Sequence, residues 1–245
     1  MNLKVVGIIP ARYASSRFPA KPLIDLKGKT MIQRVYEGAK KSALLTDVIV
    51  ATDNQEIYET VISFGGKVMM TNENHPSGTD RCGEVAQFLK DIDVIVNIQG
   101  DEPLVDYRQL DQLITAFKDE KVTIATLGIK DVSIEDIKNT NRIKIVVNHK
   151  DEALYFSRSA VPNSANYSGD ALNFYPYYRH IGLYAYRLNT LKELIQLEPT
   201  KLEKVESLEQ LRWLYYGYKI KVVETNIETP NIDVPEDVEK VLKFL

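Results

Sequence analysis

KVVGIIPARYASSRFPAKPL, Lys4 to Leu23, is the stretch that decides how this chain is read. Val5 to Ile9 is a short apolar run of the kind buried on both faces in a parallel sheet. The loop beyond Ile9 has no apolar periodicity. It carries Pro10, Pro19 and Pro22 among Ala and Ser, and three cations, Arg12, Arg17 and Lys21. A first strand leading into such a loop puts the cations at the carboxyl edge of the sheet, where open α/β sheets bind ligands. Guanidinium and ammonium groups there form a cradle for a polyanion, a triphosphate fitting best. The alternative is a solvated loop whose cations bind nothing. Neither G-x-x-x-x-G-K-[ST] nor G-x-G-x-x-G stands after any strand, which argues against P-loop enzymes and dinucleotide oxidoreductases.

Outward from this stretch, helix and strand patterns alternate. After a turn at Gly28, Thr30–Lys41 shows the apolar stripe of a helix in Met31, Ile32, Val35 and Ala39. Val48–Ala51 reads as a strand. A helix over Gln55–Phe64 comes next, capped by Asp53 or Asn54 and ended by Gly65 and Gly66, and then a third strand over Lys67–Met70. A helix is expected over about Thr79–Leu89, a strand among the most apolar and hence central over Asp93–Ile98, a helix over Asp106–Lys118 and a strand over Val122–Ile129. This predicts an α/β fold, a mostly parallel central sheet with helices on both faces. Beyond residue 130 the pattern changes. Ile143–Val147 and Ala153–Phe156 flank an Asn-His-Lys-Asp-Glu turn and read as a hairpin, a small antiparallel extension. RHIGLYAY reads as a strand and 162–170 as a loop. Helices are expected at 190–196 and 207–216, a strand at 219–224, and a last helix at 235–244.

A chain of 245 residues can bury a sizeable core without staples. Its 31 Lys and Arg nearly balance 34 Asp and Glu, so no global field points to nucleic acid or an anionic membrane. The single cysteine, Cys82, excludes an intrachain disulfide and a multi-thiolate zinc site. No apolar run is long enough to span a bilayer, and Met1-Asn2-Leu3-Lys4 leads into a strand rather than a signal peptide. A cytoplasmic protein is the expectation.

Two further polar stretches stand at the ends of strands: ENHPSGTDR, with Ser77, Gly78, Thr79 and Arg81, and QGDEP, Gln99 to Pro103. With IIPARYASSRFPAKPL, VATDN, ALYFSRS, YYRHIGLYAY, LEQLRWL and IDVPED, in chain order, they resemble the 3-deoxy-manno-octulosonate (Kdo) cytidylyltransferases, of the nucleotide-diphospho-sugar transferase-like fold. The likeness runs from end to end. It implies one domain over 1–245, with a nucleotide-binding part to about residue 130, a sugar-binding and dimerisation part over 131–224, and a returning metal loop with the last helix over 225–245.

The resemblance also implies the chemistry. CTP and Kdo would give CMP-Kdo and pyrophosphate, with Mg2+ as cofactor and a homodimer as the assembly. Arg12, Lys21 and Asp101 would be catalytic. Ala11, Arg12, Arg17, Lys21, Ser77, Gly78, Thr79, Gln99 and Gly100 would hold the nucleotide. Arg81, Gln99, Arg158, His180, Tyr184, Glu209 and Gln210 would line the sugar pocket, and Asp101 and Asp233 would hold the metal. Each has a plainer reading: Asp233 as a helix cap ahead of Pro235, Glu209 and Gln210 as a solvated helix face, His180 as a satisfied structural residue. The hairpin and the tyrosine-rich strand are the interface candidates. Another sugar acid, or a catalytically silent nucleotide-binding regulator, are the alternative functions.

The sequence departs from the family's pattern twice. Ala20 stands where the motif has glycine before the lysine, and an ordinary backbone or a slight shift of Lys21 is expected there. The segment AVPNSANYSGD after FSRS has neither the family's aromatic beside the proline nor an arginine before Arg179, which leaves the identity of the sugar acid open.

Overall fold

The computed structural model describes residues 3–14, 18–130 and 132–245. Nine strands form one mixed sheet: β1 Val5–Ala11, β2 Asp47–Thr52, β3 Val68–Met70, β4 Val94–Asn97, β5 Ile124–Ile129, β6 Lys144–Val147, β7 Ala153–Ser157, β8 Tyr178–Arg187 and β9 Lys221–Glu224. Their order is β3-β2-β1-β4-β8-β5-β9, and β6 joins β8 and carries β7. β3, β2, β1 and β4 are mutually parallel. β8 then enters antiparallel between β4 and β5, and β9 lies parallel to β5.

The alternation of patterns therefore gave the strands of the first half without saying which of them pair. β5 does not lie beside β4 as a continuation of the first half. A strand from much later in the chain separates them. Single-strand patterns carry no information on pairing partners, and β8 is apolar enough on both faces (Leu183, Ala185 and Tyr186 are fully buried) to be central.

The helices are α1 Met31–Ala39, α2 Gln55–Ser63, α3 Gly78–Phe88, α4 Tyr107–Thr115, α5 Ile134–Lys138, α6 Ala171–Phe174, α7 Leu188–Leu194, α8 Lys201–Glu206, α9 Gln210–Tyr215 and α10 Asp237–Leu242. Thr30, Asn54, Ser77 and Asp106 cap α1 to α4 with side-chain oxygens, each accepting a first-turn N–H. Asn54, not Asp53, caps α2. The short helices α5, α6 and α8 have too few turns for periodicity to reveal them. Two of them carry capping boxes, Ser133 with Asp136 and Thr200 with Glu203, a signal that is present in the sequence.

Two apolar layers cover the sheet. One packs α1 and α4 residues such as Val35, Leu110 and Leu113 against Val94 and Val96. The other packs Cys82, Val85, Leu191 and Trp213 against Ile95 and Tyr186. Neighbouring residues of β4 thus serve opposite faces, as a pleated strand requires. Burial also pushes the Cys82 thiol far up, so it is an inert core residue.

The parallel half reverses its winding between β1 and β4. β2 and β3 lie on one side of β1 and β4 on the other, so the loops leaving β1 and β4 diverge to open a crevice. The strands stay bonded up to that point, with the Ile98 N–H donating to the Ile8 carbonyl at 2.9 Å. Gly100 comes two residues later. A β-carbon there would stand 2.7 Å from the Pro10 carbonyl oxygen, so only glycine lets the two loops approach this closely.

Candidate active site

A cavity of about 240 Å3 opens at this crevice, walled by Pro10, Ala11 and Arg12 from the β1 end, Lys21 and Pro22, the segment His75–Gly78, Arg81, and Gln99–Asp101. Most residues expected to hold a nucleotide meet here. Arg17 lies outside the described residues, and Thr79 is buried behind the wall.

Lys21 is carried into the cavity by a tight turn. Ala20 donates its N–H to the Tyr13 carbonyl and accepts from Leu23 N–H, with φ 54° and ψ 19°. The expectation of an ordinary backbone at Ala20 is thus corrected. The alanine keeps the left-handed conformation glycine adopts without strain, because the turn and its two bonds dictate it. The Lys21 Nζ then lies 2.9 Å from Asp101 Oδ2 and 2.8 Å from the Ile232 carbonyl oxygen. Cation, central-strand carboxylate and C-terminal segment are joined at one point.

That segment is stitched down further. Ile232 N–H donates to the Asp101 carbonyl, and Thr229 Oγ1 donates to Glu102 Oε2 at 3.2 Å. Asp233 is held by Asn231 Nδ2 and gives its backbone N–H to Asp237. It does not cap α10, whose N-cap is Glu236, so the plainer reading of Asp233 falls away. Glu102 is raised to about 8, by burial first and then by the negative charges of Asp101 and Asp233. Both aspartates therefore act on one small volume.

Among the described residues no three His, Cys, Asp or Glu side chains gather closely enough to hold a metal by themselves. Asp101 lines the cavity and Asp233 follows Ile232, whose carbonyl Lys21 bonds; a pair of carboxylates suits Mg2+, which takes few protein ligands and completes its shell with phosphate and water oxygens. The donor set fits.

Arg81, on α3 and 3% exposed, donates to Thr71 Oγ1 and to Asp53 Oδ2, both just beyond strand ends. A guanidinium so fixed presents a rigid face to the cavity. Glu209 links the two halves of the chain. Its carboxylate accepts from Ser77 Oγ at 2.8 Å and Thr79 Oγ1 at 2.6 Å, and burial raises its pKa in spite of those bonds. The reading of Glu209 and Gln210 as a solvated face is thereby corrected: Gln210 is 6% exposed and Leu208 and Leu211 are core. Arg158 is placed differently from the others, since its guanidinium is spent on the carbonyls of Glu206, Thr140 and Ser207.

Behind the cavity, β4 and β8 present a polar patch. Asn97 and Tyr184 are cross-strand partners, and His180 Nε2 lies 2.9 Å from Thr126 Oγ1, with Phe156 and Tyr184 rings 5.3 Å away. Enclosure lowers His180 to about 3, so the ring is neutral. Among the described residues, Asn97 Oδ1 and the Tyr184 and Tyr186 hydroxyls are buried and meet no hydrogen-bond partner of good geometry. Buried polar atoms left so are expensive unless a ligand or water meets them. Gln99 Nε2, donating to the Gly182 carbonyl, connects this patch to the cavity. Local sequence gives no reason to single out Asn97, Thr126 or His75, or to pair Asp53 with Arg81; only the placement of strand ends reveals them.

Comparison with known proteins agrees with this geometry. The sequence pattern of the cytidylyltransferase family matches residues 6–220. The chain is 52% identical to the 3-deoxy-manno-octulosonate cytidylyltransferase of Parabacteroides distasonis, over 99% of this chain and 98% of that protein. It is 50% identical to that of Bacteroides thetaiotaomicron, over 99% and 98%. The solved structure of a CMP:2-keto-3-deoxy-manno-octonic acid synthetase complexed with CTP superposes with a TM-score of 0.92 at 41% identity, covering 98% of each chain. The chain therefore belongs to the cytidylyltransferase family, among its 3-deoxy-manno-octulosonate cytidylyltransferases.

Proposed function

We propose that this protein activates Kdo with CTP, giving CMP-Kdo and pyrophosphate. The observation that carries the reading is the meeting of Lys21, Asp101 and the segment bearing Asp233 at the β1–β4 crevice, with Arg12 and Ser77–Gly78 on its walls.

The anomeric hydroxyl oxygen of the sugar acid attacks the α-phosphorus. The bond to the bridging oxygen of the β-phosphate breaks, pyrophosphate leaves in line, and the hydroxyl proton passes to solvent. Such a transfer needs positioning and charge neutralisation more than covalent help. Arg12 and Lys21 hold the triphosphate and neutralise charge that grows on the leaving pyrophosphate. To do so, Lys21 exchanges Asp101 for phosphate oxygen, which its single long stem allows. Asp101 and Asp233 would hold Mg2+, which when bound neutralises phosphate charge. Gln99, Arg81, His180, Tyr184, Glu209 and Gln210 would line the sugar side, where a neutral His180 and the buried hydroxyls suit a polyhydroxylated acid. The Glu209 carboxylate, now on Ser77 and Thr79, ties the sugar side to the nucleotide wall.

We also propose a homodimer in the cytoplasm. No helix among the described residues is long and apolar enough to cross a membrane. Tyr177 and Tyr178 are buried in the protomer's own core, so the exposed Leu154 of β7, with Val205 and Tyr215, is the better candidate for a shared face than the tyrosine-rich strand. Light scattering on the purified chain tests the dimer; a monomeric mass at micromolar concentration would refute it.

Pyrophosphate release with CTP, Mg2+ and a panel of sugar acids tests the reaction. Release with Kdo is expected. Release only with another ulosonic acid would move the specificity, and none at all would remove the enzyme reading. Asp101→Ala is expected to abolish turnover with the fold intact. Lys21→Ala should depress the chemical step more than CTP binding.

A further inference from the structure

His75 lines the cavity beside Pro76, Ser77 and Gly78, and the transfer chemistry gives it no role. Its Nε2 lies 2.5 Å from Glu84 Oε2 on α3, and the same oxygen accepts the Asn72 backbone N–H at 2.9 Å. The carboxylate thus holds both ends of the segment 72–75 against the helix. An ionised carboxylate only accepts, so in the neutral imidazole the proton sits on Nε2 and Nδ1 is left as an acceptor. Among the described residues no protein group bonds Nδ1.

The rest of the cavity limits what Nδ1 can meet. Arg12 and Lys21 line the same cavity, while Pro76 follows His75 and Pro10 packs close to Gly78, giving apolar surface that suits the face of a base. On its edge, cytosine presents an exocyclic amine, a donor, where uracil presents a carbonyl, an acceptor. An acceptor nitrogen pairs with the first and opposes the second.

We propose that His75 is a specificity-determining residue that selects an amino-pyrimidine over a keto-pyrimidine nucleotide by accepting from the exocyclic amine, and that Glu84 is its positioning residue. The proposal rests on reading the cavity as a nucleoside triphosphate site. A neighbour built to pair with one edge discriminates by leaving a buried group unpaired against the other.

Calorimetric titration with CTP and with UTP tests this without turnover. The wild-type chain should bind CTP more tightly than UTP. His75→Leu should cut that preference by roughly tenfold or more, chiefly by weakening CTP. His75→Asn, whose amide oxygen can take the place of Nδ1, should restore part of it, and Glu84→Gln should give an intermediate loss. A tether that merely holds the segment 72–75 would weaken both nucleotides alike, so an unchanged ratio in His75→Leu overturns the proposal. Should His75→Leu fail to fold, His75→Ala and Glu84→Gln carry the comparison, with the same outcomes. Failure of the wild-type chain to bind either nucleotide would overturn the triphosphate reading as well, and is told apart by the wild-type titration alone.

Discussion

Replacing Ala20 by glycine should stabilise this protein and leave its reaction unchanged. At φ 54° and ψ 19° the Ala20 β-carbon crowds the following carbonyl, a penalty of about 1–2 kcal/mol for an L-residue in the left-handed region. Glycine removes that penalty but enlarges the unfolded ensemble, which returns about 0.4–1 kcal/mol. The difference leaves a net gain of about 0.5–1 kcal/mol, or about 2 °C in Tm for a chain of this size. Both hydrogen bonds of the turn, from Ala20 N–H to the Tyr13 carbonyl and from Leu23 N–H to the Ala20 carbonyl, are made by backbone and survive the change. Lys21 stays where it is, so turnover should change less than about twofold, equivalent to about 0.4 kcal/mol. Ala20→Val reverses the sign, since a β-branched residue tolerates this region least, with a loss above about 1 kcal/mol. Reversible urea unfolding of the three chains reads these differences as shifts in midpoint at constant slope. A stability that falls in Ala20→Gly, or that is unmoved in Ala20→Val, would refute the left-handed turn and the account of how Lys21 is aimed.

The same geometry sets other outcomes. Gly100→Ala puts a methyl group 2.7 Å from the Pro10 carbonyl oxygen, a backbone atom that cannot rotate away. The loops after β1 and β4 must part, at a cost of about 1–3 kcal/mol and with kcat/KM falling by about tenfold or more; urea unfolding and steady-state kinetics check it. His180 is lowered to about 3 in the fold, so the unfolded chain binds a proton between the ordinary histidine value and that point while the folded chain does not. Stability is therefore lost as pH falls through this window, by about 2 kcal/mol near pH 5 from this residue. His180→Gln should flatten that part of the profile, and an unchanged acid limb in urea titrations would exclude the enclosed neutral ring. Arg212 holds Glu203 with two hydrogen bonds at 2.8 and 2.6 Å, both side chains about 10% exposed. Arg212→Met leaves a buried carboxylate unpaired and should cost about 3 kcal/mol, read as a midpoint shift. A loss under about 1 kcal/mol would mean the pair is solvated.

Much of the fold is legible in one dimension. Local signals are written in order along the chain: the apolar runs of β1, β2 and β4, the caps at Thr30, Asn54 and Ser77, the ends at Gly65, and the hairpin around residues 148–152. Each depends on a few neighbouring residues, so sequence determines it. The cationic loop, SGTDR and QGDEP likewise announce a phosphate chemistry by their residue types.

Pairing and proximity are decided by the tertiary structure. That β8 inserts between β4 and β5 reflects which apolar faces bury best together, a competition among all strands at once. Lys21 meeting Asp101 and the Ile232 carbonyl spans 80 and 211 residues of separation, and no local pattern encodes such a meeting. The same holds for Asp53 on Arg81, for Glu209 on Ser77 and Thr79, and for the buried Asn97 and Tyr184 side by side. Ala20 shows the limit most plainly. Its sequence says alanine, and alanine alone prefers the right-handed or extended regions. The turn that its neighbours close overrides that preference, because two backbone hydrogen bonds and the lysine contacts beyond it outweigh about a kilocalorie of strain.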